Sequence, residues 1–360
     1  MQAPATIGSA TKKRVAALAF VASVIAVGHV AAQSSTEVFG FAKLGFTAGQ
    51  GSVVDRTALS SMASRFGIHG GEDLGGGLRA SFWLEAGFNL DDGYASNTNT
   101  KNQADGAILG RGASFGRRAV VGLESSIGQL LVGRDSTPHN AGSQEWGHPD
   151  YDPYFHLGVG NSRAGVGSAG GYASTRASNS LGYISPNFDG IRLQLQTYLG
   201  ENPHPAPNAG SGNSVLLAYD KNPLSLGAAY GKTTTGAGTN VKTTNIGGSF
   251  DIGAAKLMGY VRKDANTSMP DVDGFVFGTR IRIGTAGGEL RASLSQTEKL
   301  NAKTRQFAIG YWQHMSKRTA LFSTWARVGN SGGAAAALNN SVTGANQSSR
   351  GYDLGLQHYF

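Results

Sequence analysis

The sequence predicts an all-β fold, a 16-stranded antiparallel transmembrane β-barrel with an apolar outside and a charged inside. Three observations predict it. Apolar and polar residues alternate with a period of two along most of the chain, no stretch holds a helical period for two turns, and arginines and glutamates occupy the face opposite the apolar one. A soluble sheet usually turns its apolar face toward a core. A sheet with a charged second face encloses water instead, and its apolar side then needs lipid. The composition agrees. Of 360 residues, 54 are glycine, none is cysteine and only 15% are charged, which excludes a bundle of membrane helices and a disulfide scaffold.

The N-terminal stretch reads as a leader. Lys12-Lys13-Arg14 precedes an apolar run from Val15 to Val27 and a small-residue end, Gly28-His29-Val30-Ala31-Ala32. This order describes a secretory signal peptide over residues 1–32, leaving 33–360 as the barrel domain. The alternative, a retained anchor helix, fits a short Ala-rich run less well. The formal charge is +8, and loss of the three leader cations leaves +5. An exported basic chain meets little nucleic acid, so no such partner is expected.

The clearest hairpin spans Ser64 to Phe88. Phe66 and Ile68 share one face, Arg65, Gly67 and His69 the other; a polar turn follows from Glu72 to Gly77. Then Leu78, Ala80, Phe82, Leu84, Ala86 and Phe88 oppose Arg79, Ser81, Trp83, Glu85 and Gly87. In all, sixteen strands are expected near 37–47, 64–71, 77–90, 116–125, 128–135, 177–185, 190–200, 213–221, 223–231, 242–252, 254–264, 273–284, 286–298, 303–315, 318–329 and 350–360.

The later strands repeat the pattern. Ile191, Leu193 and Leu195 oppose Arg192, Gln194 and Gln196; Phe275, Phe277, Ile281 and Ile283 oppose Gly278, Arg280 and Arg282; Leu290, Ala292 and Leu294 oppose Arg291 and Ser293. Connections alternate in length. Tight turns near 125–128, 186–190, 221–223 and 315–318 suit periplasmic hairpins, and polar segments at 48–63, 91–115, 201–212, 232–241 and 330–349 suit extracellular loops. The longest connection, Ser136 to Thr175, contains QEWGHPDYDPYFHLGVG and is too long to be a plain linker. Phe39, Phe46, Tyr183, Tyr198, Tyr219, Tyr230, Tyr311 and Tyr352, near strand ends, are expected to form the interfacial aromatic girdles.

Several ordered motifs carry a resemblance. The stretch SRFGIHGGEDLGGGLRASFWLEAGF, then GRRAVVGL, GQLLVGRD and RASNSLGYISPNFDG, resembles the Gram-negative trimeric porins of the betaproteobacterial and neisserial branch. The C-terminal GLQHYF, with Leu354, Leu356 and Phe360 in step, resembles the terminal strand read by the barrel-assembly machinery. The resemblance covers essentially the whole chain after the leader. It implies a homotrimer in the Gram-negative outer membrane, bedded in lipid and lipopolysaccharide, with the third extracellular loop (about 136–175) folded into the lumen. Two features depart from the family pattern. His69 stands where a cation is usual, and the loop reads Asp150-Tyr151-Asp152-Pro153-Tyr154-Phe155 in place of Pro-Glu-Phe-Gly.

The expected activity is passive diffusion of small hydrophilic solutes, with anions preferred. Arg65, Arg79, Arg118, Arg176, Arg192, Arg280, Arg282 and Arg291 fall on the inward face by parity, and rings of arginine favour anions. The resemblance places a small arginine cluster opposite the third loop, at Arg65, Arg117 and Arg176. Parity selects Arg118 and the motif selects Arg117, and both are kept. Across the opening, Glu145, Asp150 and Asp152 would complete a transverse field.

The bland reading is that these arginines pair with Glu72, Glu85, Glu124 or Glu289 to satisfy the wall. Other chemistry finds no support. His139, His148 and His156 have no metal-site spacing, Gly75-Gly76-Gly77 precedes no helix, and no nucleophile elbow occurs. Neither a cofactor, a metal nor an enzymatic reaction is expected. Competing readings are a porin tuned to dicarboxylates or phosphate, and a non-channel adhesin or structural barrel.

Overall fold

The computed structural model describes residues 34–61, 63–95, 114–140, 175–201, 208–235, 239–285 and 287–360. The leader and most of the long connection, including Glu145, Asp150, Asp152, His148 and His156, lie outside them. The described strands are β1 (Ser34–Gln50), β2 (Arg56–Ser61), β3 (Arg65–Gly75), β4 (Leu78–Gly87), β5 (Arg118–Ser125) and β6 (Gly128–Ser136). There follow β7 (Arg176–Ile184), β8 (Ile191–Tyr198), β9 (Gly212–Lys221), β10 (Leu224–Thr234), β11 (Asn240–Asp251) and β12 (Ala255–Asn266). The last are β13 (Val272–Ile283), β14 (Gly288–Lys299), β15 (Ala302–His314), β16 (Thr319–Ser331) and β17 (Ser349–Tyr359).

Seventeen strands make sixteen wall positions. β1 pairs with β3 through Ser34–Phe41 and with β2 through Leu44–Gly49, so β2 and β3 are two halves of one stave. Every neighbour pairing is antiparallel, and β17 closes the ring on β1 with Phe41 opposite Tyr359 and Gln50 opposite Arg350. Closure has a physical cause. An edge in hydrocarbon would strand backbone N–H and C=O groups, each at a cost of several kcal/mol. Phe360 completes the seam by exchanging two backbone hydrogen bonds with Gly40, at 2.9 and 3.1 Å.

The outward face is apolar along the wall, as the alternation predicts. Phe46, Val121, Leu217, Leu294 and Leu354 are all exposed on it, Phe46 by 66% and Leu354 by 61%. The tight turns and both ends of the barrel chain lie at one end, here the turn end, and the longer connections lie at the loop end. At the β3–β4 turn, Gly76 and Gly77 take φ of +62° and +79° with open space around them, a geometry that favours glycine.

Four expectations are corrected. The segment 48–63 is no loop: β1 continues to Gln50 and β2 returns from Arg56, leaving a turn of 51–55. Glu72 and Asp73 belong to β3 rather than to the turn, and Glu72, opposite Ala80, lies on the outward side, with no lumenal arginine paired to it among the described residues. Phe39 and Tyr198 leave the girdle for the inside. Phe39 packs on Trp83 and His69, and Tyr198 is buried with its hydroxyl 2.6 Å from Thr233 Oγ1. Parity decided both, since each stands one residue out of step with its lipid-facing neighbours.

The lumen is not polar all round. Met258, Tyr260, Val276, Ala308, Trp312, Phe322, Ala326 and Val328 form an apolar cluster on the inward side of β12 to β16, covered by Leu338 from the 332–348 connection. That connection folds back inside, where Asn339 Nδ2 donates to Ala48 O and Asp353 Oδ1 at 3.1 and 2.8 Å. One side of the interior is therefore packed with apolar groups.

Candidate functional site

The cation-rich part of the lumen is built where β3, β4, β5 and β7 approach the loop end. Register fixes who meets whom. Arg65 on β3 lies opposite Gly87 on β4, and Glu85 lies opposite Arg118 on β5, so all four share the inward face. Glu85 is buried and sits between Arg65, at 3.5 Å, and Arg117, which ion-pairs with it through Nε. Trp83 Nε1 donates a third contact to the same carboxylate at 3.3 Å. Arg176 opens β7 beside Ser136, and its charge also acts on Glu85.

The choice between Arg117 and Arg118 dissolves, because both turn inward to different partners. Arg118, on β5, reaches Asp135 on β6 at 3.2 Å and lies over the Trp83 ring at 4.9 Å. Arg117 stands just before the strand, where its N–H bonds to Glu85 O at 3.2 Å, free of strand parity. A neighbouring cation, Arg134, donates to Gly116 O at 2.7 Å and Ser178 Oγ at 2.9 Å.

The remaining basic residues spread along the wall. Arg79 faces Glu124 at 3.2 Å near the turn end, and Arg192 shares the inward face of β8 with Gln194 and Gln196. Arg280 and Arg291 lie opposite each other across β13 and β14, both paired to Glu289, the first at 2.8 Å and the second through Nε. Arg291 also stacks on Trp312 at 3.9 Å. Arg282 donates to Gly253 O at 3.3 Å at the turn end. Pairing with Glu85, Glu124 and Glu289, the bland reading, is thus part of the arrangement. It does not consume the charge, since two carboxylates each serve two guanidiniums.

Sequence reasoning passed over Asp135, Lys43 and the first residues of the long connection. Asp135 was legible, sharing parity with Gln129 and Leu131 against the outward Leu130 and Val132. Lys43 lies inward on β1 over the Phe322 ring at 4.3 Å, a neighbour supplied only by closure of the barrel. The connection after β6 begins by crossing the interior to β9, β10 and β11. His139 is fully buried against Ser214 there: its backbone N–H donates to Ser214 Oγ at 2.7 Å, and Nδ1 lies 2.9 Å from the same oxygen. Asn245 Nδ2 donates to its carbonyl, and its ring fills the place where a Cβ on Gly231 would stand. No local signal in the sequence marks His139 for that seat.

Among the described residues no group of three or more His, Cys, Asp or Glu could hold a metal, and no helix is long and apolar enough to cross a membrane. What the site offers is fixed positive charge on the inward wall, with two carboxylates each shared between two guanidiniums.

Comparison with known proteins gives a consistent result. The profile of the family described as Gram-negative porin matches residues 15–333. Outer membrane porin protein 32 of Delftia acidovorans is 31% identical over 383 residues, covering 97% of this chain and all of that protein. A second outer membrane porin protein, from Bordetella pertussis, is 26% identical over 309 residues, 72% of this chain and 75% of that one. Among solved structures, an anion-selective porin from Comamonas acidovorans superposes with a TM-score of 0.74 at 27% identity, covering 91% of this chain and 100% of the other. Salmonella typhi OmpF superposes at 0.62 with 15% identity over 90% and 97% of the two chains, a likeness of fold alone.

Proposed function

The chain belongs to the Gram-negative porin family and is an outer-membrane channel for passive diffusion; on that premise we propose that it selects anions and works as a homotrimer. The observation that carries the selectivity is the balance of charge around Glu85. Arg65, Arg117, Arg118 and Arg176 gather at that level against Glu85 and Asp135, so positive charge is in surplus. In a narrow aqueous path with low-dielectric walls such a surplus raises the local concentration of anions and repels cations. Arginine keeps this charge at every physiological pH, and its planar fork suits carboxylate and phosphate. The likeness to the anion-selective porin from Comamonas acidovorans supports the same reading.

In this reading the turn end faces the periplasm and the loop end the outside. The acidic side of the opening falls to Glu145, Asp150 and Asp152, and the terminal Phe360 to recognition during assembly. Planar-bilayer recordings under a salt gradient test the selectivity. The expected reversal potential lies on the anion side, and neutralising Arg65, Arg117 and Arg176 together moves it toward the cation side. A potential near zero in the unaltered protein would refute anion preference. Closure of single channels in three equal steps is the expected sign of the trimer.

A further inference from the structure

Among the described residues, every contact between a cation and a ring face lies inside the barrel. Arg65 stands over Phe41 and Arg118 over Trp83, both at 4.9 Å, while Lys43 and Arg291 lie over Phe322 and Trp312. On the side of β12 to β16 the rings are closed to any solute, since Trp312 and Phe322 are fully buried. On β1, β3 and β4 they are not. Phe39 and Trp83 are half-buried, and the His69 side chain is 31% exposed. Register brings these three together. Glu37, His69 and Trp83 form one row across the strands, and Phe39, Gly67 and Glu85 form an inward row nearer the loop end.

His69 stacks on Trp83 with centroids 4.6 Å apart and planes 11° from parallel, and Phe39 meets Trp83 at 4.8 Å. The Phe39 ring lies across Gly67, where any Cβ would collide with it. Trp83 continues into Val120, Leu131 and Ile184 on the inward side of β5 to β7. A strip of rings and aliphatic groups therefore runs along the inward wall just to the turn-end side of the arginine cluster. His69, at the position where the sequence leads one to expect a cation, extends this strip by a ring and has Glu37 Oε2 3.5 Å from its Nε2. The strip ends against charge. Trp83 Nε1 donates to Glu85, the carboxylate that also holds Arg65 and Arg117, so the guanidiniums begin one carboxylate beyond the indole edge. Arg65 and Arg117 keep 19% and 24% of their side chains exposed.

We propose that this strip is a ring subsite and that the organic anions the channel favours are aryl monocarboxylates. The ring rests on Phe39, His69 and Trp83, and the carboxylate turns to Arg65 and Arg117. The proposal rests on the reading of the channel as anion-selective and names the solute class of that same site. Apolar surface left open on a hydrophilic wall marks a place where a partner lies. Two guanidiniums on Glu85 leave one positive charge beside the rings, the complement of a single carboxylate. An aromatic ring gains more from such neighbours than a saturated one of equal size, because ring faces and edges attract through their quadrupoles. Contacts of that kind are weak enough to let the solute leave, as conduction requires.

The test uses the full-length protein in planar bilayers at neutral pH, carrying chloride current, with benzoate or cyclohexanecarboxylate added as probe. The two are alike in size and charge and differ in the ring. Benzoate is expected to halve the chloride current at about one-fifth of the concentration that cyclohexanecarboxylate needs, the factor one ring–ring contact supplies. The double variant Phe39→Leu/His69→Leu keeps apolar bulk and removes two rings, and in it the ratio is expected to approach one. Equal block by the two probes in the unaltered protein, or a ratio that survives the double variant, would overturn the proposal. The comparison in the unaltered protein needs no variant and decides the matter even if the variant fails to fold. The reversal potential under a sodium chloride gradient, read on the same membrane, reports the anion reading by itself. Chloride preference with no difference between the probes sinks the ring subsite alone, whereas loss of chloride preference sinks the anion reading and the subsite with it.

Discussion

Glu85 sets the charge balance of the lumen, because two guanidiniums and an indole N–H converge on one carboxylate. Replacing it by Gln removes a negative charge without changing shape. The expected result is a reversal potential displaced further to the anion side, read in planar bilayers, together with weaker hold on Arg65 and Arg117. His139 is the complementary case, a residue whose task is to place chain rather than charge. Gly231→Ala would drive a methyl group into its ring, and overpacking of this kind costs about 1–3 kcal/mol. Urea unfolding in detergent should show that loss, and His139→Ala should show one of similar size, because it leaves a cavity at a fully buried ring and removes the Nδ1 contact to Ser214 Oγ while the backbone bond to that oxygen stays. Parity made Arg65, Arg79, Arg192, Arg280 and Arg291 legible in the sequence. The role of His139 was not, since its partners lie on three strands far along the chain.

At the scale of a strand, β17 has to satisfy both lipid and closure. Leu354 and Leu356 face outward, and register puts Leu356 beside Leu44 on β1 and Leu321 on β16. Leu356→Arg places a guanidinium on the lipid face, and the expected cost is about 2–4 kcal/mol, visible as a lowered unfolding midpoint in lipid vesicles. Arg192→Gln, on the lumen side of β8, should leave that midpoint nearly unchanged while reducing anion current. Deleting Phe360 removes the two seam bonds to Gly40 and is expected to lower the yield of folded barrel during refolding into vesicles. Strand bounds were legible where tight turns interrupt the alternation. They were missed at 48–63, where β1 and β2 run on through polar residues: alternation fades above the lipid zone although the ladder of hydrogen bonds continues.

For the molecule as a whole, the decisive asymmetry is inside. The side walled by β12 to β16 is packed with apolar groups under Leu338 and holds Arg280 and Arg291 on Glu289, while Arg65, Arg117, Arg118 and Arg176 cluster on the side of β3 to β7 and the start of the long connection crosses to β9, β10 and β11. A sequence of alternating strands gives no warning of this, because Phe322 and Trp325 on β16 are apolar on both faces and either parity reads well. Neutralising Lys43, which lies over Phe322 on the filled side, is therefore expected to change current less than neutralising Arg65. Comparing the two single variants in the same bilayer recording checks it.

The sequence by itself determined that the chain is a closed sheet with lipid outside and arginine inside, because a period of two and a charged second face leave no other stable arrangement in a bilayer. Only the tertiary structure decided which cations share a carboxylate, where the interior is packed with apolar groups, and which rings lie beside the arginines. Those outcomes depend on register between strands and on closure of the first strand against the last, which bring together residues that no local pattern relates.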